Sequence, residues 1–297
     1  MKVLVRDGEL QRELDPLPAG VGVVTDPAPD VEFAVINFEL SGRLPEMFAE
    51  MPNLRVVQSL SAGVDWLVPR TPKGVIVCKA VGVHDRPVSE WVIAVILAMQ
   101  RRLPEFLESQ RLGKWDRSPV DGTPDDDLEG QTVLVVGHGS IGRTLAMRLT
   151  SFGVHVVGVA QHAREDARPV SSLSELLPQA DVVVNLLPLT SATERFVDAA
   201  FLGQMKAGAL FVNAGRGKTV DTAALLEALQ SGRIRAALDV TDPEPLPDGH
   251  PLWHAPNVLI TPHIAGSTAR WLTRGYRFAG EQIRRYAAGE PLLGVET

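Results

Sequence analysis

Three short segments in the last third of the chain carry an arginine, a glutamate and a histidine in settings that suit chemistry. Arg216 stands between glycines in Asn213-Ala214-Gly215-Arg216-Gly217, Glu244 lies in the run Asp242-Pro243-Glu244-Pro245, and His263 lies in Thr261-Pro262-His263-Ile264-Ala265-Gly266. Each segment follows a run that reads as a β-strand, and ligands of open α/β sheets bind just beyond the carboxyl ends of strands. An arginine there meets an anion through a planar fork of donors. Histidine moves protons near neutral pH, and a carboxylate beside it orients the ring. The prolines cannot join a ladder and fix φ, so Glu244 sits on a restricted loop. Singly, each residue has an ordinary alternative: a surface arginine, a solvated carboxylate, a strand-end histidine. Their shared placement past strand ends is what argues for a site.

A second constellation precedes these. Val133-Leu134-Val135-Val136-Gly137-His138-Gly139-Ser140-Ile141-Gly142 runs from a strand into GxGxxG and then a helix. Gly137 permits the tight turn, Gly139 lets a pyrophosphate approach the backbone, and Gly142 allows close helix–strand packing. The helix N-terminus offers N–H groups and a positive dipole end to phosphates. An acidic residue about 20 positions on would bind the ribose 2′-hydroxyl of NAD. Here the second strand ends in Val159-Ala160-Gln161-His162-Ala163-Arg164, with Ala160 at that place. The missing carboxylate removes the bar to a 2′-phosphate, and Arg164 and His162 could pair with one. The alternative is that both are solvated loop residues. The expected cofactor is NADP(H) in preference to NAD(H).

Elements that could hold these residues are legible along the chain. Apolar runs at 3–5, 21–25, 33–36, 56–58 and 75–78 lack period-two alternation, as do strands of a parallel sheet covered on both faces. Residues 89–103 read as a buried helix. Residues 116–130, with an acidic run and Pro and Gly breaks, read as an exposed loop crossing between domains. A second series of strands fits 132–136, 154–159, 182–186, 210–213, 236–240 and 258–261. Ser172-Leu173-Ser174-Glu175 reads as a capping box, Asp198 and Asp221 as N-caps and Gly232 as a C-cap. The tail, 267–289, reads as one helix returning to the first domain. The expected architecture is α/β: two Rossmann-like, doubly wound parallel-sheet domains facing across a cleft, the first discontinuous. The expected boundaries are 1–100 plus 270–297 for a substrate (flavodoxin-like) domain and 101–269 for a dinucleotide-binding domain.

Composition excludes several classes. The 297 residues exceed one ordinary core, and the net charge of −7 argues against a general nucleic-acid binder. The longest apolar run, 91–99, is too short for a membrane span. No signal peptide is legible, and the single cysteine, Cys78, lies in a candidate buried strand, which fits a reducing cytoplasm. No metal, membrane or nucleic-acid partner is expected.

The segments SLSAGVDW, GVHDRPVSEW, GHGSIG, LLPLTSATERF, VNAGRGKTVD, ALDVTDPEPLP and PNVLITPHIAGS, spanning 59–267, closely resemble the D-isomer-specific 2-hydroxyacid dehydrogenases, of the glyoxylate/hydroxypyruvate reductase-like kind. The resemblance implies that Arg216, Glu244 and His263 are catalytic, that Asp239 holds the nicotinamide carboxamide, and that Ser61, Ala62 and Gly63 belong to a substrate-carboxylate loop. Arg216 and His263 would complete the substrate site. Leu187, Pro188, Ala214, Gly215, Asn213 and Gly266 would join Gly137, His138, Gly139, Ser140, Ile141, Gly142, Asp239 and His263 around the dinucleotide. It also implies a homodimer formed through the cofactor domain.

The expected reaction is hydride transfer between NAD(P)H and a small 2-oxo acid or D-2-hydroxy acid. His263 is the acid/base, Glu244 supports it, and Arg216 binds substrate and polarises the carbonyl. Glyoxylate, hydroxypyruvate and larger 2-oxo acids all stay open. Glu244 argues against the formate dehydrogenases, which resemble a variant with glutamine there. Ala62-Gly63 argues against the phosphite dehydrogenases, which add a lysine. The alternative of another class is a non-enzymatic, dinucleotide-sensing corepressor of the same fold, which also keeps the triad. Such chains are longer, and that difference favours the enzyme. Trp66, Trp91 and Trp115 are expected to pack, with a pocket or dimer interface as their other reading. His84 is expected to be a neighbour of the site.

Overall fold

The computed structural model describes every residue except 9, 122–126 and 297. The chain forms two compact units, Met1–His84 with Thr268–Thr297, and Asp85–Ser267.

The first unit opens with β1 (Lys2–Val5), β2 (Gly22–Val24), β3 (Val31–Ile36), α1 (Leu44–Ala49), β4 (Val56–Ser59) and β5 (Ile76–Cys78). Its strands form one parallel sheet in the order β2-β1-β3-β4-β5, the flavodoxin-like winding. Successive residues of a strand point to opposite faces, and here both faces are covered. Leu4, Ala34, Ile36 and Val57 pack with Leu44, Met47 and Phe48 of α1. Val3, Val5, Phe33, Val35 and Val56 form the other face. That is why these strands read as unbroken apolar runs.

The second unit begins with α2 (Asp85–Gln100) and α3 (Leu103–Arg111). The apolar spacing of Val88, Val92, Val95, Ile96 and Met99 gives α2 one buried face, which joins Val133 and Val135 in a core. Arg235 donates to the carbonyl of Met99 (3.2 Å) and to Gln100 Oε1 (3.1 Å), satisfying the helix's C-terminal end. There follow β6 (Thr132–Val136), α4 (Ser140–Leu149), β7 (His155–Ala160), β8 (Arg168–Pro169), α5 (Leu173–Leu176), β9 (Val182–Asn185), α6 (Ala199–Gln204), β10 (Leu210–Asn213), α7 (Thr222–Gln230), β11 (Arg235–Leu238) and β12 (Val258–Ile260). The sheet order is β12-β11-β10-β9-β6-β7-β8, all parallel. The winding reverses between β6 and β9, and that switch point is where such sheets bind ligands.

The last helix, α8 (Trp271–Ala287), returns to the first unit. Tyr276, Ala279 and Ile283, spaced along one helical face, pack on Val3, Val5 and Phe33. Each large apolar side chain so buried contributes about 1.5–3 kcal/mol.

Several expectations are corrected. The division falls at 84/85 and 267/268, so α2 belongs to the second unit and not to a first domain reaching residue 100. The stretch 116–130 therefore joins parts of one unit; its residues 122–126 lie outside the described residues. Ser172 makes no capping bond, because its φ and ψ (−82°, −3°) are already helical and turn its hydroxyl from the N-cap position. Asp198 and Asp221 do cap, accepting from Phe201 N (2.8 Å) and from Ala223 N and Ala224 N (3.0 and 3.1 Å). Gly232 has φ +69° just past α7, as a C-terminal stop requires. Trp115 does not pack among the described residues; it is 99% exposed.

Candidate active site

The GxGxxG loop sits at the switch point. Gly137 has φ +95°, and a Cβ there would lie 2.7 Å from the Leu186 carbonyl carbon beyond β9, so only glycine fits. The N–H groups of Gly137 and His138 both donate to Val159 O, tying the loop to the end of β7. Gly139 is exposed, with open space where a Cβ would be, and it starts α4 with no side-chain cap. The ten-residue helix thus begins with no side-chain cap beside a residue with open space in place of a Cβ, which fits a pyrophosphate. The Ser140 hydroxyl is turned away, donating to Asp85 Oδ2. Ile141 and Gly142 continue the first turn, Ile141 packing towards the α2 core.

His138 is 5% exposed, and its Nδ1 has no partner among the described residues. Burial pushes its pKa down, and the nearby Asp166 only partly opposes this. Arg164 donates to the His138 carbonyl and lies 3.7 Å from Asp166, while His162 is exposed. Arg143, which the sequence reading passed over, lies 4.0 Å from the same carboxylate.

Arg216 follows β10, and a polar network fixes its backbone. β9 and β10 both end in asparagine, and the register pairs Asn213 with Asn185. Asn185 Nδ2 donates to Asn213 Oδ1 (3.1 Å) and to Thr219 Oγ1 (2.8 Å). Thr219 Oγ1 and Asn213 Nδ2 in turn donate to the Arg216 carbonyl (2.6 and 3.3 Å). Asn185, Asn213 and Thr219 are all buried, where unpaired amides would be costly. Asn185 and Thr219 were not singled out from sequence; the signal was an asparagine ending two otherwise apolar strands. Asn213 Oδ1 also accepts from Gly215 N, and the Ala214 N–H donates to Asn185 O. Leu187 N donates to Asn185 Oδ1, and the Pro188 carbonyl accepts from Thr193 Oγ1.

The flanking glycines explain how an arginine comes to sit there. A Cβ on Gly217 would lie 1.8 Å from Thr241 O, and one on Gly215 2.7 Å from Leu187 O. The arginine loop is therefore wedged, backbone to backbone, between the loops following β9 and β11. The second of those carries Glu244.

Glu244 and His263 meet directly, with His263 Nδ1 2.6 Å from Glu244 Oε1. Both side chains are part exposed, and the contact with Glu244 engages Nδ1 of the ring. His263 has φ +54°, a left-handed conformation that an L-residue keeps only when its surroundings impose it. Asp239 imposes it. Its carbonyl accepts from His263 N (2.7 Å), Oδ1 accepts from Thr261 Oγ1 (2.6 Å) and Ile264 N (2.8 Å), and Oδ2 accepts from Ala265 N (2.8 Å). This buried carboxylate, expected at a nicotinamide carboxamide, is the anchor of the histidine loop. Gly266 ends that loop. Because β10, β11 and β12 are neighbours, Arg216, Glu244 and His263 all lie past the carboxyl ends of adjacent strands.

The remaining candidates, Trp91 apart, lie in the first unit. After β4, Ser61 N donates to Ser59 Oγ (3.0 Å), Ala62 follows, and Gly63 O accepts from Trp66 Nε1 (3.0 Å). His84 Nε2 lies 2.9 Å from Leu60 O, and its ring lies against Trp271. Trp66 meets Phe38 edge-on, and Trp91 is part buried beside the α2 core.

The sequence model described as "D-isomer specific 2-hydroxyacid dehydrogenase, NAD binding domain" matches residues 93–265. The chain belongs to this family. It is accordingly an oxidoreductase of the D-2-hydroxyacid dehydrogenase class, acting on CH–OH donors. A glyoxylate reductase of Thermofilum pendens is 36% identical over 256 residues, covering 82% of this chain and 75% of that protein. A D-isomer specific 2-hydroxyacid dehydrogenase from Xanthobacter autotrophicus Py2, solved with NADPH and MES, superposes with TM-score 0.84 at 32% identity, covering 100% of this chain and 97% of that one. An NADPH-dependent glyoxylate/hydroxypyruvate reductase from Sinorhizobium meliloti, solved with NADP and sulfate, gives TM-score 0.84 at 28% identity, covering 99% and 97%. The two parallel sheets of this dehydrogenase are those of its relatives, and among the described residues no helix is long and apolar enough to cross a membrane.

Proposed function

We propose that this dehydrogenase reduces a small 2-oxo acid, with Arg216 holding the substrate, His263 delivering the proton and Glu244 orienting His263. The observation that carries this is the 2.6 Å pair of His263 Nδ1 and Glu244 Oε1 at the strand ends, on a loop against which the arginine loop is wedged. With Nδ1 committed to the carboxylate, Nε2 is the nitrogen that gives a proton to the developing alkoxide or takes it back in the reverse direction. The Arg216 guanidinium pairs with the substrate carboxylate and polarises the carbonyl, stabilising charge where it develops. A reduced nicotinamide supplies the hydride when bound. Gly137 to Gly142, with the uncapped start of α4, hold the pyrophosphate, and Leu187, Pro188, Ala214 and Gly266 line the approach from neighbouring strand ends.

NADP(H) is the proposed preference. Ala160 provides no carboxylate at the end of β7, and the guanidinium of Arg164, with that of Arg143 nearby, is supplied there instead. The Sinorhizobium reductase, described as NADPH-dependent, points the same way. A homodimer is proposed through the exposed apolar row of Leu103, Leu107, Leu112 and Trp115 on and after α3, a patch that a lone chain leaves in water. The deciding experiment follows NADPH and NADH consumption with glyoxylate, hydroxypyruvate, pyruvate and a bulky 2-oxo acid. Turnover with any of them supports the reaction. Silence across the set, in protein that binds dinucleotide, moves the reading to a sensing corepressor.

A further inference from the structure

Residue 160 carries no carboxylate, but another stands close to the same loop. Beyond β7 the chain turns back on itself, Arg164 N donating to Ala167 O (2.9 Å) and Ala167 N to Arg164 O (3.3 Å). That tight turn presents Asp166 to the GxGxxG loop. Its Oδ2 lies 3.6 Å from His138 Nε2 and 4.0 Å from Arg143 Nη1, and its Oδ1 lies 3.7 Å from Arg164 Nε. Arg164 is held in place from the other side by its bond to the His138 carbonyl. Two guanidiniums at the end of β7 therefore share one internal counter-anion, six positions later than sequence spacing looks for it.

We propose that Asp166 is a specificity-determining residue, competing with a ribose 2′-phosphate for Arg143 and Arg164 and offering an acceptor to a free 2′-hydroxyl. The inference rests on the proposed dinucleotide site. All three ion-pair distances exceed those of tight charge-assisted hydrogen bonds, and the Asp166 side chain is 42% exposed. Such pairs are loose enough for a dianion to displace, but the carboxylate stays close enough to repel it. Two cations against one anion leave the patch net positive, since burial keeps the His138 ring from adding a charge near neutral pH. The result is a site that takes NADP(H) with a preference held down by its own aspartate. In NAD(H), the 2′-hydroxyl donates to Asp166, as it would to an acid at the strand end.

The test is calorimetric binding of NADP⁺ and NAD⁺ to the wild type, Asp166→Asn, Asp166→Ala and Arg164→Ala, with no substrate present. Both Asp166 variants are expected to raise the ratio of NADP⁺ to NAD⁺ affinity about tenfold, mainly by tightening NADP⁺, and Arg164→Ala to lower it. The gain should shrink with added salt, because the patch is solvent-exposed. An unchanged ratio in both Asp166 variants overturns the proposal. So does weaker NADP⁺ binding in them, which would make Asp166 an organiser of the arginines. Failure of every form to bind either nucleotide would overturn the dinucleotide site itself, and this proposal with it.

Discussion

His263 and Glu244 come from loops after adjacent strands, yet their side chains meet at 2.6 Å, while His263 holds a left-handed backbone. A carboxylate that accepts from Nδ1 fixes which ring nitrogen faces substrate. We therefore expect His263→Ala to lower kcat about 10²–10⁴-fold with dinucleotide affinity unchanged. Glu244→Gln should lower kcat by about tenfold or more, because the amide can present the wrong partner to Nδ1. Steady-state kinetics alongside nucleotide binding measure both. Full turnover in His263→Ala would remove the proposed acid/base.

Gly217 tests how far Arg216 depends on its loop. Its absent Cβ would stand 1.8 Å from Thr241 O, on the strand end that leads to Glu244. Gly217→Ala must push the two loops apart, and displacements of about 1 Å at a reacting centre cost on the order of 10²-fold. The expected loss is in kcat/KM for the 2-oxo acid, similar to that of Arg216→Ala, although the guanidinium is retained. Kinetics within a factor of two of wild type would show that the site does not need this contact.

Asp239 is expected to matter first for stability. Its carboxylate accepts from three donors within the His263 loop. In Asp239→Asn, one oxygen becomes an NH₂ group facing an N–H or O–H, leaving a buried donor unpaired at a cost of about 1–3 kcal/mol. A chain of this size should lose about 2–4 °C in Tm per kcal/mol. The His263 turn should also loosen, so kcat falls with nucleotide affinity retained. An unchanged Tm would show that the amide repacks without cost.

His138 gives a pH dependence. Burial holds its folded-state pKa below the ordinary 6.5, so the folded chain resists a proton that the unfolded chain accepts. Stability is then unaffected by this group above the ordinary value and falls as pH drops below it. Denaturant midpoints taken between about pH 5 and 8 should show that acid-side decline, and His138→Gln should flatten it. An equal slope in wild type and variant would assign the decline to other groups.

The fold was largely legible because strands covered on both faces leave a plain apolar signature. The strand-end positions of Arg216, Glu244 and His263 followed from where those runs stop. What escaped depended on contacts between segments. The division at 84/85 was missed because α2 is apolar on the side that meets the second core, and apolar content does not say which core. The two-residue β8 is too short to leave a pattern. Asp166 was invisible because a turn, not strand spacing, carries it to the loop. Asn185 was overlooked because its pairing with Asn213 appears only once β9 and β10 are known to be neighbours.

Asn185 is accordingly the most informative remaining position. Its amide holds Asn213 and Thr219, both of which bond the Arg216 carbonyl. Asn185→Leu keeps the branched shape with bulkier methyl tips, removes both donations together with the acceptor of Leu187 N, and leaves the Thr219 and Asn213 oxygens short of a donor. Some loss of stability follows from that alone, about 1–3 kcal/mol. A purely structural role would stop there, with the folded variant kinetically normal. A positioning role predicts that KM for the 2-oxo acid rises several-fold while the dinucleotide KM stays within about twofold, since the arginine loop shifts and the GxGxxG loop does not. Asn185→Asp, which keeps the shape and the acceptor but loses the donor, should behave like Asn185→Leu. Recovery of wild-type KM in the aspartate variant would place the effect in shape, and the donated hydrogen bonds would then have no part in holding Arg216.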